Sequence, residues 1–214
     1  MRFNKFYLLN RKSRASLLPV FALLLVAALS PNLSKADSID PVKFKQALLE
    51  LHQQSVKDKQ LRLEETEGQY NGKAAERYRY RDTKYYEVGT PLLLSHIRSD
   101  ADRPEILHII EVNVYDNAGR VVRDFGSVTL PTSPAYPART LLNFHLYNGA
   151  LHSFRQFNEF GDVTYEVCEG LLDKRRINLS LDETEIKPAA TNTVEYKACF
   201  EGMESAWATY AIPH

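Results

Sequence analysis

Residues 141–168 read LLNFHLYNGALHSFRQFNEFGDVTYEVC, and this stretch decides the fold. Two alternating runs flank Asn148-Gly149, the strongest short signal for a two-residue hairpin loop. Asn158-Glu159-Phe160-Gly161 then supplies an Asx start and a fourth-place glycine, which suits a type I turn closed by a glycine bulge. The spacing predicts a three-stranded antiparallel meander. Turn type fixes register. One face then carries Leu142, Phe144, Leu146, Leu151, Phe157, Val163, Tyr165 and Val167, with Ser153 and Arg155 as its polar members. That face is the expected core. The other carries Asn143, His145, Tyr147, His152, Phe154, Glu166 and Cys168, a mixture suited to solvent or a groove.

The same register sets His145 opposite His152, and His152 opposite Cys168. Opposed Cβ atoms lie about 4.5–5.5 Å apart. Two imidazoles and a thiolate at that spacing form a ligand set for Cu or Zn, with Glu166 and Asn143 one step along. A one-residue slip would bury Arg155 or Glu166 among Leu and Phe side chains, at a cost of several kcal/mol. Against a thiolate stands the cysteine count. Cys168 and Cys199 are the two cysteines of the chain, and in an oxidising compartment they pair with each other. His145 and His152 then remain as the metal-binding candidates.

The compartment follows from the first thirty-six residues. Residues 1–14 are polar and basic, Leu17 to Leu29 is an apolar run of 13 residues interrupted by Pro19, and Ser34-Lys35-Ala36 places small residues at a cleavage site. This is the pattern of a secretory signal peptide, residues 1–36, processed before Asp37. A helix of the apolar run rises about 20 Å, short of the roughly 30 Å hydrocarbon core, so no stable membrane anchor is expected after processing. The localisation expected is periplasmic.

Residues 37–214 are expected to form a single secreted domain. Lys+Arg and Asp+Glu are each 27, but residues 1–36 hold six basic residues and no acid, leaving 21 basic against 27 acidic residues in the remainder. That balance excludes a general phosphate-backbone binder, so no nucleic-acid partner is expected.

The domain opens on a helix over about 41–57. Asp40 suits its N-cap, Pro41 its first turn, and Val42, Phe44, Leu48 and Leu51 give one apolar stripe. Beyond residue 60 the period becomes two. Asn71-Gly72 predicts a hairpin with Glu64 opposite Arg79 and Thr66 opposite Arg77. Arg77-Tyr78-Arg79-Tyr80-Arg81 reads as a solvated strand face with tyrosines packed behind it. Asp116-Asn117-Ala118-Gly119 repeats the 158–161 turn pattern. Val163-x-Tyr165-x-x-Cys168 recurs as Val194-x-Tyr196-x-x-Cys199, as two similar strands would. The fold class expected is mainly β: an N-terminal helix followed by an antiparallel meander, as an open curved sheet or partial barrel.

No motif names a reaction. GxSxG, Walker, GxGxxG and HExxH patterns are missing from the sequence. His52, His96 and His108 have no orienting carboxylate at readable spacing and read as packed or surface residues. No catalytic residue and no organic cofactor is assigned. Three functions stay open. The leading one is an exported, non-catalytic binding or accessory protein with a ligand cleft on the sheet, its partner a small ligand or an envelope protein. The others are transition-metal handling through His145 and His152, and a hydrolase whose site converges only in space.

Overall fold

The computed structural model describes residues 38–70, 78–131, 138–205, 207–210, 212 and 213. The segment read as a signal peptide and the Asn71-Gly72 turn lie outside them.

Helix α1 spans Pro41–Val56. Asp40 caps it by accepting from the amides of Val42 and Lys43 at 2.9 and 3.3 Å, which satisfies two of the donors a helix start leaves unpaired. Nine strands follow: β1 Leu61–Gln69, β2 Arg79–Glu87, β3 Leu93–Asp100, β4 Leu107–Tyr115, β5 Val121–Val128, β6 Arg139–Asn148, β7 Leu151–Phe157, β8 Val163–Leu172 and β9 Arg175–Asp182. Two short helices come last, α2 Pro188–Thr191 and α3 Val194–Phe200, then a 3-10 turn at Trp207–Tyr210. The strands lie in sequence order in one antiparallel sheet, which does not close, so β1 and β9 are its edges.

Both helical ends of the chain cover the same face. α1 packs across β3–β6 and α3 across β7 and β8. The register explains why. Ser95, Val112, Phe125, Leu142 and Phe157 stand in one cross-strand row, each opposite the next. All five are buried. Phe44 of α1 is set on that row, its ring 6.4 Å from Phe125. Each fully buried Phe or Leu contributes about 1.5–3 kcal/mol, so this row and the α1 stripe form the main core.

Two expected turns form as read. The amides of Gly119 and Gly161 donate to the carbonyls of Asp116 and Asn158 at 3.0 and 3.1 Å. Gly161 takes φ +79°, and a Cβ there would also overlap the Trp207 ring, so no other residue fits without displacing that side chain.

Four expectations fail, each for a readable reason. The β1–β2 register puts Glu64 opposite Lys84, Thr66 opposite Asp82 and Arg79 opposite Gln69. Tyr70 also pairs with Tyr78, through a backbone bond of 3.2 Å, in the same shifted register. The β6–β7 loop is Gly149-Ala150, because Asn148 pairs with Leu151. That slip of two preserves the faces of β6 and β7 but moves every partner. A bulge at Gln156/Phe157 then advances β8 by one residue. Beyond it Glu166 and Cys168 turn to the covered face, while Tyr165 and Val167 leave it. Finally, the second Val-x-Tyr-x-x-Cys copy is helix, capped by Thr193, whose hydroxyl accepts from the Tyr196 amide at 3.2 Å.

Candidate functional site on the helix-free face

The bulge separates the expected trio. Cys168 stands opposite Ser153 on the covered face and is disulfide-bonded to Cys199 of α3, with Cα atoms 5.9 Å apart. This is the expected pairing, and it indicates an oxidising, non-cytoplasmic environment. No helix among the described residues is long and apolar enough to cross a membrane.

His145 and His152 remain on the opposite face, where no described helix packs. They are diagonal neighbours: His145 stands opposite Phe154, and His152 opposite Tyr147. Their rings lie nearly parallel, and His145 Nδ1 is 3.0 Å from His152 Nε2. His145 Nε2 lies 2.8 Å from Asp124 Oδ2 on β5. Asn143 donates to the other Asp124 oxygen at 2.5 Å. Tyr147 stacks on His152 at 4.6 Å, and the Arg120 guanidinium covers Tyr147 at 4.8 Å.

A carboxylate only accepts, so His145 Nε2 carries the hydrogen it shares with Asp124. His145 Nδ1 and His152 Nε2 share a second hydrogen, which either ring can donate. Burial first, and the neighbouring His145 second, lower the His152 pKa, which favours its uncharged form.

His152 also forms part of a cleft of about 580 Å3 near the β6–β7 and β8–β9 turns. Glu169, Arg176 and Asn178 supply its polar side chains, and Ala150, Leu171 and Ile177 its apolar ones. Gly170 shapes its floor. It sits at φ +138°, and a Cβ there would overlap the Ala150 carbonyl oxygen.

A second polar cluster lies on the same face over β2–β4. His96 bridges Asp82 at 2.7 Å and Glu111 at 3.0 Å. Arg98 grips Asp82 with two bonds of 2.8 Å while stacking on Tyr80 at 3.8 Å. The hydrogen bond to Glu111, together with Asp82, outweighs burial and raises the His96 pKa. Burial pulls Asp82 upward, but Arg98 and His96 hold its carboxyl below the usual carboxylate range. Sequence reading missed these partners, because Asp82, His96 and Glu111 meet only once three strands are in register. His52 and His108 are packed residues as expected, bonded to Ser95 at 2.8 Å and Tyr70 at 3.0 Å.

Among the described residues no group of three or more His, Cys, Asp or Glu is arranged to hold a metal ion. Two nitrogens on one tetrahedral ion at about 2.0–2.1 Å would lie about 3.3 Å apart, close to the present His145–His152 separation of 3.0 Å. Glu166, expected beside them, lies under α3 instead. No family model, curated protein or solved structure matches the chain.

Proposed function

We propose that the protein is an exported, periplasmic, non-catalytic binding or accessory module whose ligand face is the helix-free face of the sheet. The observation that supports this most is the cleft at His152: a concave site on the uncovered face, with an oriented imidazole and charged neighbours. Among the described residues that line it, none pairs a nucleophile with a base. The Ser34-Lys35-Ala36 pattern and the disulfide support export. Native mass spectrometry of the protein released gently from a bacterial envelope tests the reading. A bound mass that is lost on denaturation is the expected result. A bare chain, with no thermal shift against a metabolite panel, overturns it. N-terminal sequencing of the same sample should begin at Asp37; an intact Met1 overturns processing.

One geometric observation favours a second reading, Cu(II) or Zn(II) handling through His145 and His152. Their nitrogens already converge, and Asp124 stands behind His145 as a carboxylate stands behind many metal-ligating histidines. Binding would displace the hydrogen they share, so a proton would be released. Calorimetry in two buffers of different ionisation enthalpy detects that proton. Affinity unchanged in His145→Ala and His152→Ala would end this reading.

A further inference from the structure

We infer that the cleft takes a small zwitterion of the α-amino-acid class, its ammonium between His152 and Glu169 and its carboxylate on Arg176 and Asn178. The inference rests on the reading of the helix-free face as the ligand face.

The sheet puts these groups in order. His152 stands opposite Glu169, and Glu169 opposite Asn178, so three strands contribute one row. Arg176 stands opposite Leu171, one step toward the β8–β9 turn on the same face. The row thus runs from the Glu169 carboxylate, with His152 directly across from it, to donors at the β9 edge. Among the described residues, the side chains of Glu169, Arg176 and Asn178 have no hydrogen-bond partner. Glu169 and Arg176 are not ion-paired to each other, although they border the same cleft.

An anion alone would meet the Glu169 carboxylate, and a cation alone would meet Arg176. A molecule carrying both charges a few bonds apart satisfies both ends. Guanidinium and amide donors suit the planar carboxylate, and the Glu169 carboxylate suits an ammonium. Ala150, Leu171 and Ile177 offer apolar surface to a short aliphatic side chain. Free L-leucine is therefore the probe.

The test titrates the full mature chain with L-leucine, L-leucinamide and N-acetyl-L-leucine by calorimetry or ligand-observed NMR. Leucinamide lacks the carboxylate and N-acetyl-leucine lacks the ammonium. L-leucine is expected to bind at least tenfold more tightly than either. Glu169→Gln should erase the penalty for N-acetyl-leucine while keeping that for leucinamide, and Arg176→Gln should do the reverse. Both positions are exposed, and unchanged circular dichroism melts would show that the variants fold. No binding of L-leucine up to about 10 mM, well past a millimolar Kd, overturns the proposal. Equal binding of the three probes does the same. If native mass spectrometry finds a different bound molecule, this inference falls while the binding-module reading stands.

Discussion

The two helices that cover the sheet hold on in different ways. α1 is 16 residues long and enters the core with Phe44 and Leu48, without a covalent link. α3 is seven residues long and buries Cys199 and Phe200. The sheet beneath α1 is mainly apolar, with Ile110, Val112, Phe125 and Leu142, and Ser95 bonds His52 of the helix at 2.8 Å. Beneath α3 it carries Ser153, Arg155 and Glu166. Ser153 donates to the Cys199 carbonyl at 2.7 Å, Arg155 pairs with Glu166 at 2.7 Å, and Tyr196 donates to the same Glu166 oxygen at 3.0 Å. Two turns of helix have too little apolar surface to stay docked alone, so a disulfide and a buried polar network hold them, the second Glu166 oxygen being buried without a hydrogen-bond partner among the described residues. The difference shows that length sets the means of attachment: a long amphipathic stripe suffices, and a short one needs specific bonds.

Substitutions can break each attachment separately. Phe44→Ala should cost about 3–5 kcal/mol, because the cavity forms over the Phe125 row. Chemical denaturation should show the loss as a lower midpoint; a loss under about 1 kcal/mol would mean α1 is not core. Glu166→Ala should cost about 3–5 kcal/mol by stranding Arg155 without its partner. The pair Arg155→Met with Glu166→Leu should recover most of that loss, since a buried ion pair contributes little against well-packed apolar side chains. A double variant as unstable as the single one would show that the pair itself stabilises.

Cys199→Ser opens a loop with a sequence separation of 31, for an expected loss of about 3–4 kcal/mol. It sharpens the comparison through where the loss falls. Amide exchange should rise in Val194–Phe200 and on β7 and β8, while α1 stays protected. Uniform exchange across both helices would refute separate attachment.

The smallest effects come from the open face, where the two halves titrate in opposite directions. Glu111 first, and Asp82, raise the His96 pKa, with Arg98 and Lys84 as the nearby cations. Its contribution is complete below the ordinary His pKa of about 6.5 and is lost as pH rises through its raised value. His152 has a lowered pKa, from burial first and His145 second. Its contribution is complete above about 6.5 and is lost as pH falls through the lowered value. Tm measured from about pH 5 to about pH 8 should therefore lose part of its alkaline slope in His96→Gln and part of its acid slope in His152→Gln. Parallel pH profiles for both variants and the parent would remove the distinction.

Which parts were legible follows from where the information resides. Asp40-Pro41 and the Phe44–Leu48 stripe announce α1 locally, and Asp116–Gly119 and Asn158–Gly161 announce their turns. The core row over β6 and β7 was also readable, since a two-residue slip preserves faces. The bulge at Gln156/Phe157 has no glycine or proline to mark it, and it decides where Cys168 and Glu166 point. Buried Arg155 and Glu166 looked prohibitive one at a time; together they form an ion pair at 2.7 Å. The α3 cap at Thr193 was visible, but the matching Val-x-Tyr-x-x-Cys pattern masked it. Asp173-Lys174 makes the β8–β9 turn with φ +48° and +66°, conformations that lysine rarely advertises. The His145–His152 contact survived an error in register because diagonal and direct neighbours both lie within reach of an imidazole.

The strand order also bears on how the chain acquires its shape. Each strand pairs with the one made just before it, so every pairing is between sequence neighbours and the next strand finds an edge already waiting. Such contacts form early and lower the entropic barrier that slows most β proteins. The sheet can grow vectorially from β1 to β9 as the polypeptide emerges. α1, synthesised first, must wait for β3–β6, and Cys168 waits for Cys199. Cys199 lies beyond β9 in the sequence, so the covalent bond cannot form until all nine strands have been synthesised.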